Sequence, residues 1–329
     1  MVPRGQPDLS GISGGKAKVF AAPLRCVQRR STQPGAPRCT VGALLRDRNT
    51  PMNTRPAPGT RLPSYFISHG GGPWPWIDEM RGAMAPLAAS LRGIAAEVAA
   101  GHGSPRAVLA ISGHWEAPVF TAMATARPRM LYDYSGFPEH TYRISYPAPG
   151  APGVAQRITE LLQGAGIASA QDHERGYDHG TFAPLAVMYP QAEVPVLQLS
   201  LKHGYSPEEH LAVGRALAPL RDEGVLILGS GLSFHNLRLR GPAALAPSQA
   251  FDTWLHETLE NSTPDERTAR LLRWSSAPAA RIAHPQEDHL LPLMVALGAA
   301  ESEAATTAYH EVMAATGWTV SSWRFGNAV

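Results

Sequence analysis

The sequence predicts an α/β fold: a single domain with a central mixed, mostly parallel sheet and helices on both faces. Three observations carry that expectation. From residue 64 onward, short apolar stretches alternate with segments of helical length. The run Arg106–Ser112 is almost continuously apolar, as a strand covered on both faces must be. Neither an internal repeat nor a low-complexity linker interrupts residues 64–329, so one domain accounts for them.

The elements follow in chain order. Ser64–Ser68 reads as a short strand running into Gly70-Gly71-Gly72. Ile77–Ala100 reads as a helix, Arg106–Ser112 as a buried central strand and Val119–Thr125 as another strand. Pro152–Leu162 is helical, and Thr181–Met188 is a short helix after a histidine-bearing loop. Val194–Leu201 is a strand and Pro207–Arg221 a helix; Val225–Leu228 is a strand ending at Gly229-Ser230-Gly231. Gln249–Glu260, Pro264–Trp274 and Gln286–Leu297 read as helices, and Val312 with Trp318–Phe325 closes the sheet.

Residues 1–61 are set apart as a basic leader rich in Pro and Gly. Residues 1–51 hold nine Lys/Arg against Asp8 and Asp47, a net +7, so the remainder of this +2 chain carries −5. The segment has no sustained period and no apolar core of a secretory signal. It reads as a disordered tail or as sequence upstream of a true start at Met52, ahead of a targeting peptide. The acidic body argues against a nucleic-acid surface. No apolar run reaches the roughly 18–20 residues of a membrane span. Both cysteines, Cys26 and Cys39, lie in the leader, which excludes a disulfide framework, a thiolate metal site or a cysteine nucleophile from the body. A cysteine-free body is consistent with a reducing cytoplasm. A monomer and a homo-oligomer are equally compatible with the sequence.

The chemistry lies in the histidines. Five of thirteen stand at strand ends or helix starts beside small or turn-forming residues: His69, His114, His179, His235 and His289. In open α/β sheets ligands bind outside the carboxyl ends of the strands. His69, His114 and His235 each follow an expected strand and so can converge there. Neutral imidazoles without thiolates suit Zn, Fe, Cu or Ni. Glu116, Asp178, Glu287 and Asp288 are near enough in sequence to orient such rings. A lone loop histidine is more often a surface or hydrogen-bonded residue, so the joint pattern has to carry the reading. His102, His140, His173, His203, His210, His256 and His310 read as ordinary exposed or edge residues; His284 shares a segment with His289. Trp74, Trp76 and Trp115 stand beside the candidate ligands, as pocket wall or as core.

Other motifs fail on inspection. His69-Gly70-Gly71-Gly72 resembles an esterase oxyanion loop, but no G-x-S-x-G pentapeptide accompanies it. The same glycines lack the Gly-Lys-Ser/Thr ending of a phosphate-binding loop.

Six segments together resemble a known family. They are Ser68-His69-Gly70-Gly71, Ser112-Gly113-His114-Trp115, Gly136-Phe137-Pro138 with Tyr146-Pro147-Ala148-Pro149-Gly150, Asp178-His179-Gly180-Thr181, Gly229-Ser230-Gly231 through His235-Asn236-Leu237, and Glu287-Asp288-His289-Leu290-Leu291-Pro292. In that order the chain, over about residues 62–327, resembles the class III extradiol ring-cleavage dioxygenases, in the branch of 4,5-DOPA dioxygenase-like proteins. The resemblance implies a non-haem metal enzyme that opens a catechol-type ring with O2. It makes residues 62–329 the catalytic domain. It implies His69 and His114 as metal ligands, with His289 where most of the class supplies a carboxylate. His235 is implied as a further ligand or an acid/base, and His179 as the general acid/base. Fe(II) is the implied active metal, with Zn(II) able to occupy the same site. The aromatic stretch Tyr134, Phe137, Tyr142 and Tyr146 is a candidate pocket lining.

Two other readings use the same residues. A zinc hydrolase would act without oxygen and give no coloured ring-fission product. A non-catalytic binding protein of the Memo type would keep the fold and turn over no catechol.

Overall fold

The computed structural model describes residues 61–327. The expectations about the basic leader lie outside those residues, apart from Arg61. An eight-stranded sheet runs in the order β4-β3-β5-β2-β6-β1-β8-β7. Its strands are β1 (Ser64–Ser68), β2 (Ala107–Ala117), β3 (Phe120–Met123), β4 (Ser169–Asp172), β5 (Val196–Lys202), β6 (Val225–Gly231), β7 (Ala305–Met313) and β8 (Trp318–Phe325). The four central strands β5, β2, β6 and β1 are mutually parallel. The sheet becomes antiparallel on both sides of them, at the β3–β5 and β1–β8 pairings. It is therefore mixed, as expected.

Every residue of β1 and β6 is buried, which places these strands under cover on both faces. The helix Leu291–Gly298 is buried along its whole length. No helix among the described residues is long and apolar enough to cross a membrane.

Prolines explain where helices depart from expectation. The helix foreseen over Ile77–Ala100 is two, Asp78–Ala83 and Ala85–His102. Pro86 has no N–H to donate and is accommodated only in a first turn, so a new helix begins there. Pro219 likewise ends the helix Pro207–Leu217 and opens the short turn Pro219–Asp222. Pro242 lets its helix, Pro242–Glu260, start seven residues before Gln249. Pro292 delays the last helix to Leu291. β4 was not foreseen, because Ser169–Asp172 shows no apolar alternation.

Two histidines expected at the surface are buried. His102 is 6% exposed and His210 is fully enclosed. The His210 ring packs edge-on against Phe120 at 5.0 Å. Its Nδ1 is 2.7 Å from the Ser206 carbonyl, so Nδ1 donates and Nε2 accepts from the Lys202 amide at 3.3 Å. Burial pushes its pKa down to about 4. The unfolded chain, with an imidazole pKa of about 6.5, then binds more protons than the folded one between about pH 4 and 6.5. Its contribution to stability is present above that window and is lost as pH falls through it. His210→Asn should flatten the stability profile by ~2 kcal/mol between pH 7 and pH 5, read from urea midpoints of wild type and variant.

Candidate metal centre

The five histidines singled out from the sequence meet at the carboxyl end of the central strands. His69 follows β1, its amide held by the Gly231 carbonyl at 3.1 Å. His114 lies within β2, where the register against β5 shifts between Ile111 and Glu116. His179 opens the helix His179–Met188, whose cap residue Asp178 accepts from the Thr181 amide. His235 lies just beyond β6, its amide donating to Ala283. His289 precedes the helix Leu291–Gly298.

Two glycines allow this convergence. A Cβ on Gly231 would stand 2.1 Å from the His289 carbonyl oxygen, and one on Gly180 would stand 2.6 Å from Ser112 Oγ and 2.9 Å from the His114 ring. Without a side chain at these two positions, the neighbouring chain segments can approach this closely.

Ring centroids of His69 lie 5.0 Å from His114, 5.4 Å from His179 and 5.2 Å from His289. His114 is 4.0 Å from His179 and 4.7 Å from His289. One donor atom each from His69, His114 and His179 falls within 4.8 Å of the others, and so does one each from His235, Asp288 and His289. His235 stacks on His289 with 3.4 Å between ring centroids and 20° between the ring planes.

The nitrogens show what the cluster can hold. Both ring nitrogens of His69 are buried without a hydrogen-bond partner. Nε2 of His114 and Nε2 of His289 face each other at 3.1 Å. A carboxylate stands behind each ring: Asp133 Oδ2 is 3.4 Å from His114 Nδ1, and Asp288 Oδ2 is 3.0 Å from His289 Nδ1, off the line of a hydrogen bond. Protons drawn to the Nδ1 positions leave two Nε2 lone pairs opposed. Two nitrogens bound at about 2.1 Å to one cation lie about 3.0–3.4 Å apart. The residues therefore fit a divalent metal.

Electrostatics agree. Burial, and then the neighbouring imidazoles, holds His69 and His289 well below the ordinary histidine value. Burial pushes His114 down to about 4 and His235 down to about 3. Imidazoles kept neutral are metal-ready, since a ligand must be deprotonated. Asp288 is raised to about 6, by burial first and then by Glu116 and Glu287.

Of the carboxylates foreseen, only Asp288 stands against a candidate ring nitrogen. Asp178 accepts from Ser112 Oγ, Gln198 and Arg175. Glu116 accepts from Tyr205 and Glu287 pairs with Arg281. Asp133 was not foreseen. Both its oxygens lie 2.9 Å from His179 Nδ1, and it also accepts the His179 amide at 3.0 Å. Burial raises the Asp133 pKa, but the hydrogen bond and charge of His179 outweigh it, so the carboxyl titrates below its ordinary value. An ionised acceptor there assigns the proton to Nδ1 of His179 and leaves Nε2 free to accept. The sequence signal was faint: one carboxylate between two tyrosines, 46 residues from its partner.

Aromatic rings border the cluster. Tyr134 lies 5.9 Å from His179, with Phe137 and Tyr142 each 5.4 Å from Tyr134. Trp76 packs against Phe182 at 5.7 Å. Tyr146 does not join them: it is buried, with its hydroxyl between the Leu185 and Tyr189 carbonyls. Trp74 is core, its indole N–H donating to the His69 carbonyl at 2.8 Å.

Imidazoles gathered at the strand ends of an α/β sheet, beside a nest of aromatic rings, are a site fitted to hold a divalent metal next to a flat aromatic group. The chain belongs to the family described as the catalytic LigB subunit of aromatic ring-opening dioxygenase, whose model matches residues 63–326. It is an extradiol ring-cleavage dioxygenase. It is 39% identical over 241 residues to a 4,5-DOPA dioxygenase extradiol of Beta vulgaris, covering 72% of this chain and 86% of that one. It is 36% identical over 200 residues to the protein of the same name from Escherichia coli K12, covering 59% and 73%. Dioxygenase tasH of Hapsidospora irregularis is 34% identical over 257 residues, covering 73% and 79%. A crystal structure of uncharacterized protein JW3007 from Escherichia coli K12 superposes with a TM-score of 0.61 at 28% identity, covering 81% of this chain and all of that one.

Proposed function

We propose that this enzyme uses Fe(II), held by His69, His114 and His289 with His235 adjoining, to open a catechol ring by 4,5-type extradiol cleavage. The observation that carries the reading is the pair of opposed Nε2 atoms of His114 and His289 beside the partnerless His69. Plant and bacterial relatives named for DOPA cleavage support a catechol with a short polar side chain. The cysteine-free body suits a reducing cytoplasm as the place of action.

The chain's own residues divide the work. His179 accepts a proton from a catechol hydroxyl at Nε2, because Asp133 fixes its proton on Nδ1. The imidazolium so formed stays paired with that carboxylate. It returns the proton to oxygen as the ring opens to a muconic semialdehyde holding both atoms of O2. Tyr134, Phe137 and Trp76 offer ring faces that orient a flat substrate and keep water away. The bound iron would supply a shared centre for the diol and O2 and a route for electron density from ring to oxygen. Held by neutral imidazoles alone, such a centre would be more positive than one with a carboxylate ligand and would favour the catecholate anion.

The test begins with protein stripped of metal and reloaded anaerobically with Fe(II) or Zn(II). Oxygen and a panel of catechols including DOPA are then added. Oxygen uptake with a new visible absorption in the Fe(II) sample alone is the expected result. Turnover without oxygen in the Zn(II) sample would sink the proposal, and so would no turnover in either.

Asp133→Asn should keep the metal and lower turnover about 10- to 100-fold, the usual cost of losing the group that orients a working imidazole. Steady-state rates alongside metal analysis check this. An unchanged rate would remove Asp133 from the mechanism.

A further inference from the structure

We propose that the chain carries a second divalent-cation site, built from Asp252 and His256 of the helix Pro242–Glu260 with His310 and Ser321 of the β7–β8 hairpin, and suited to zinc.

The backbone places these four together by two simple rules. Asp252 and His256 are four residues apart, so they lie one turn above the other on the same helix face. His310 and Ser321 are directly opposite partners in the antiparallel β7–β8 ladder. Asp252 Oδ2 is 3.6 Å from His256 Nε2 and 3.3 Å from His310 Nδ1. Ser321 Oγ is 3.2 Å and 3.0 Å from those same two nitrogens. Four donors arranged tetrahedrally at about 2.1 Å from one cation stand about 3.4 Å apart. The observed separations bracket that value.

Three further features favour a cation. The His256 nitrogen turned away from the cluster, Nδ1, has Glu260 Oε1 at 3.4 Å and Thr307 Oγ1 at 3.2 Å. A carboxylate behind the ring is how ligating imidazoles are usually held. Glu260 is itself held by the Trp323 indole N–H at 3.0 Å and by the Thr307 hydroxyl. Asp252 is only 4% exposed, and its ion-pair partners among the described residues are the two imidazoles, with no Lys or Arg. A buried carboxylate needs compensating charge. The His310 side chain is 48% exposed, which leaves a way in.

The donors select the ion. Two imidazoles and one carboxylate are a three-ligand set that zinc takes, with Ser321 at the fourth position, where zinc otherwise holds a water; magnesium and calcium require six or more oxygens. Without a cation the same atoms form a hydrogen-bonded knot in which Ser321 donates to Asp252 at 2.6 Å. Zinc would replace that knot and fasten the helix to the hairpin, raising thermal stability by mass action.

The experiment uses the full chain, equilibrated with Zn2+ and freed of excess by gel filtration, with zinc counted by atomic emission. Wild type should hold one equivalent more than His310→Gln. A His69→Ala/His289→Ala double variant should retain that equivalent and lose it when His310→Gln is added. Metal bound elsewhere is common to the two members of each pair, wild type with His310→Gln and double with triple, and cancels. Zn2+ should raise the Tm of the double variant and not that of the triple. Equal zinc content in wild type and His310→Gln would overturn the site, as would equal Tm shifts in double and triple variants. His256→Gln is the second variant should His310→Gln fold poorly. Loss of the active-site metal would leave this outcome unaffected, so the two sites fail separately.

Discussion

His69→Ala should fold, fail to retain Fe(II) at the histidine cluster and lose ring-opening activity by on the order of 10³-fold, since a metal centre contributes several kcal/mol to such a transition state. The energetics make the fold insensitive to this change. His69 is buried with neither ring nitrogen hydrogen-bonded, so the metal-free protein already bears its desolvation cost. Truncation relieves about 1–3 kcal/mol of unsatisfied polar burial and adds a cavity cost of similar size. The difference should instead emerge when metal is added. Wild type gains about 2.7 kcal/mol at a metal concentration 100-fold above its Kd, and the variant gains little of it. Melting with and without Fe(II), together with iron analysis, reads this. A variant that keeps both its iron and its iron-induced Tm shift would remove His69 from the ligand set.

His179→Asn should keep the metal and slow turnover by about 10²–10⁴-fold, the range for loss of a general acid/base. The geometry makes the experiment discriminating. His179 lies within donor range of His69 and His114, so on distance alone it is as much a candidate ligand as His289. Its tie to Asp133 argues for proton transfer, while the opposed nitrogens of His114 and His289 argue for those two as the ligands. The metal count separates the roles. If His179→Asn releases the metal and His289→Ala does not, the third ligand has been misassigned.

Much of this was legible in the sequence for local reasons. A histidine placed within a few residues after an apolar strand is on the binding edge of an α/β sheet wherever the rest of the chain goes. His69 and His235 satisfied that rule, and His114 missed it only because β2 runs on past Ser112 to Ala117. Proline positions also carried the helix breaks at Pro86 and Pro219, although reading the helices by length alone ran through both. What stayed hidden depended on partners distant in the chain. Asp133 acquires its importance from His179, and nothing in Tyr132-Asp133-Tyr134 signals that contact. His210 looks like an exposed helix residue until Phe120 closes over it. Tyr146 belongs to an aromatic stretch in sequence and to the floor of a different helix in space.

The position of β1 bears on how the molecule is made. The strand that leads into His69 is the first of the described strands to leave the ribosome, yet it is sandwiched between β6 and β8, whose residues emerge some 160 and 250 positions later. Until then its apolar edges have no neighbours. A nascent chain therefore carries that segment unpaired through most of its synthesis, and an unpaired strand of this kind is open to aggregation until its neighbours arrive.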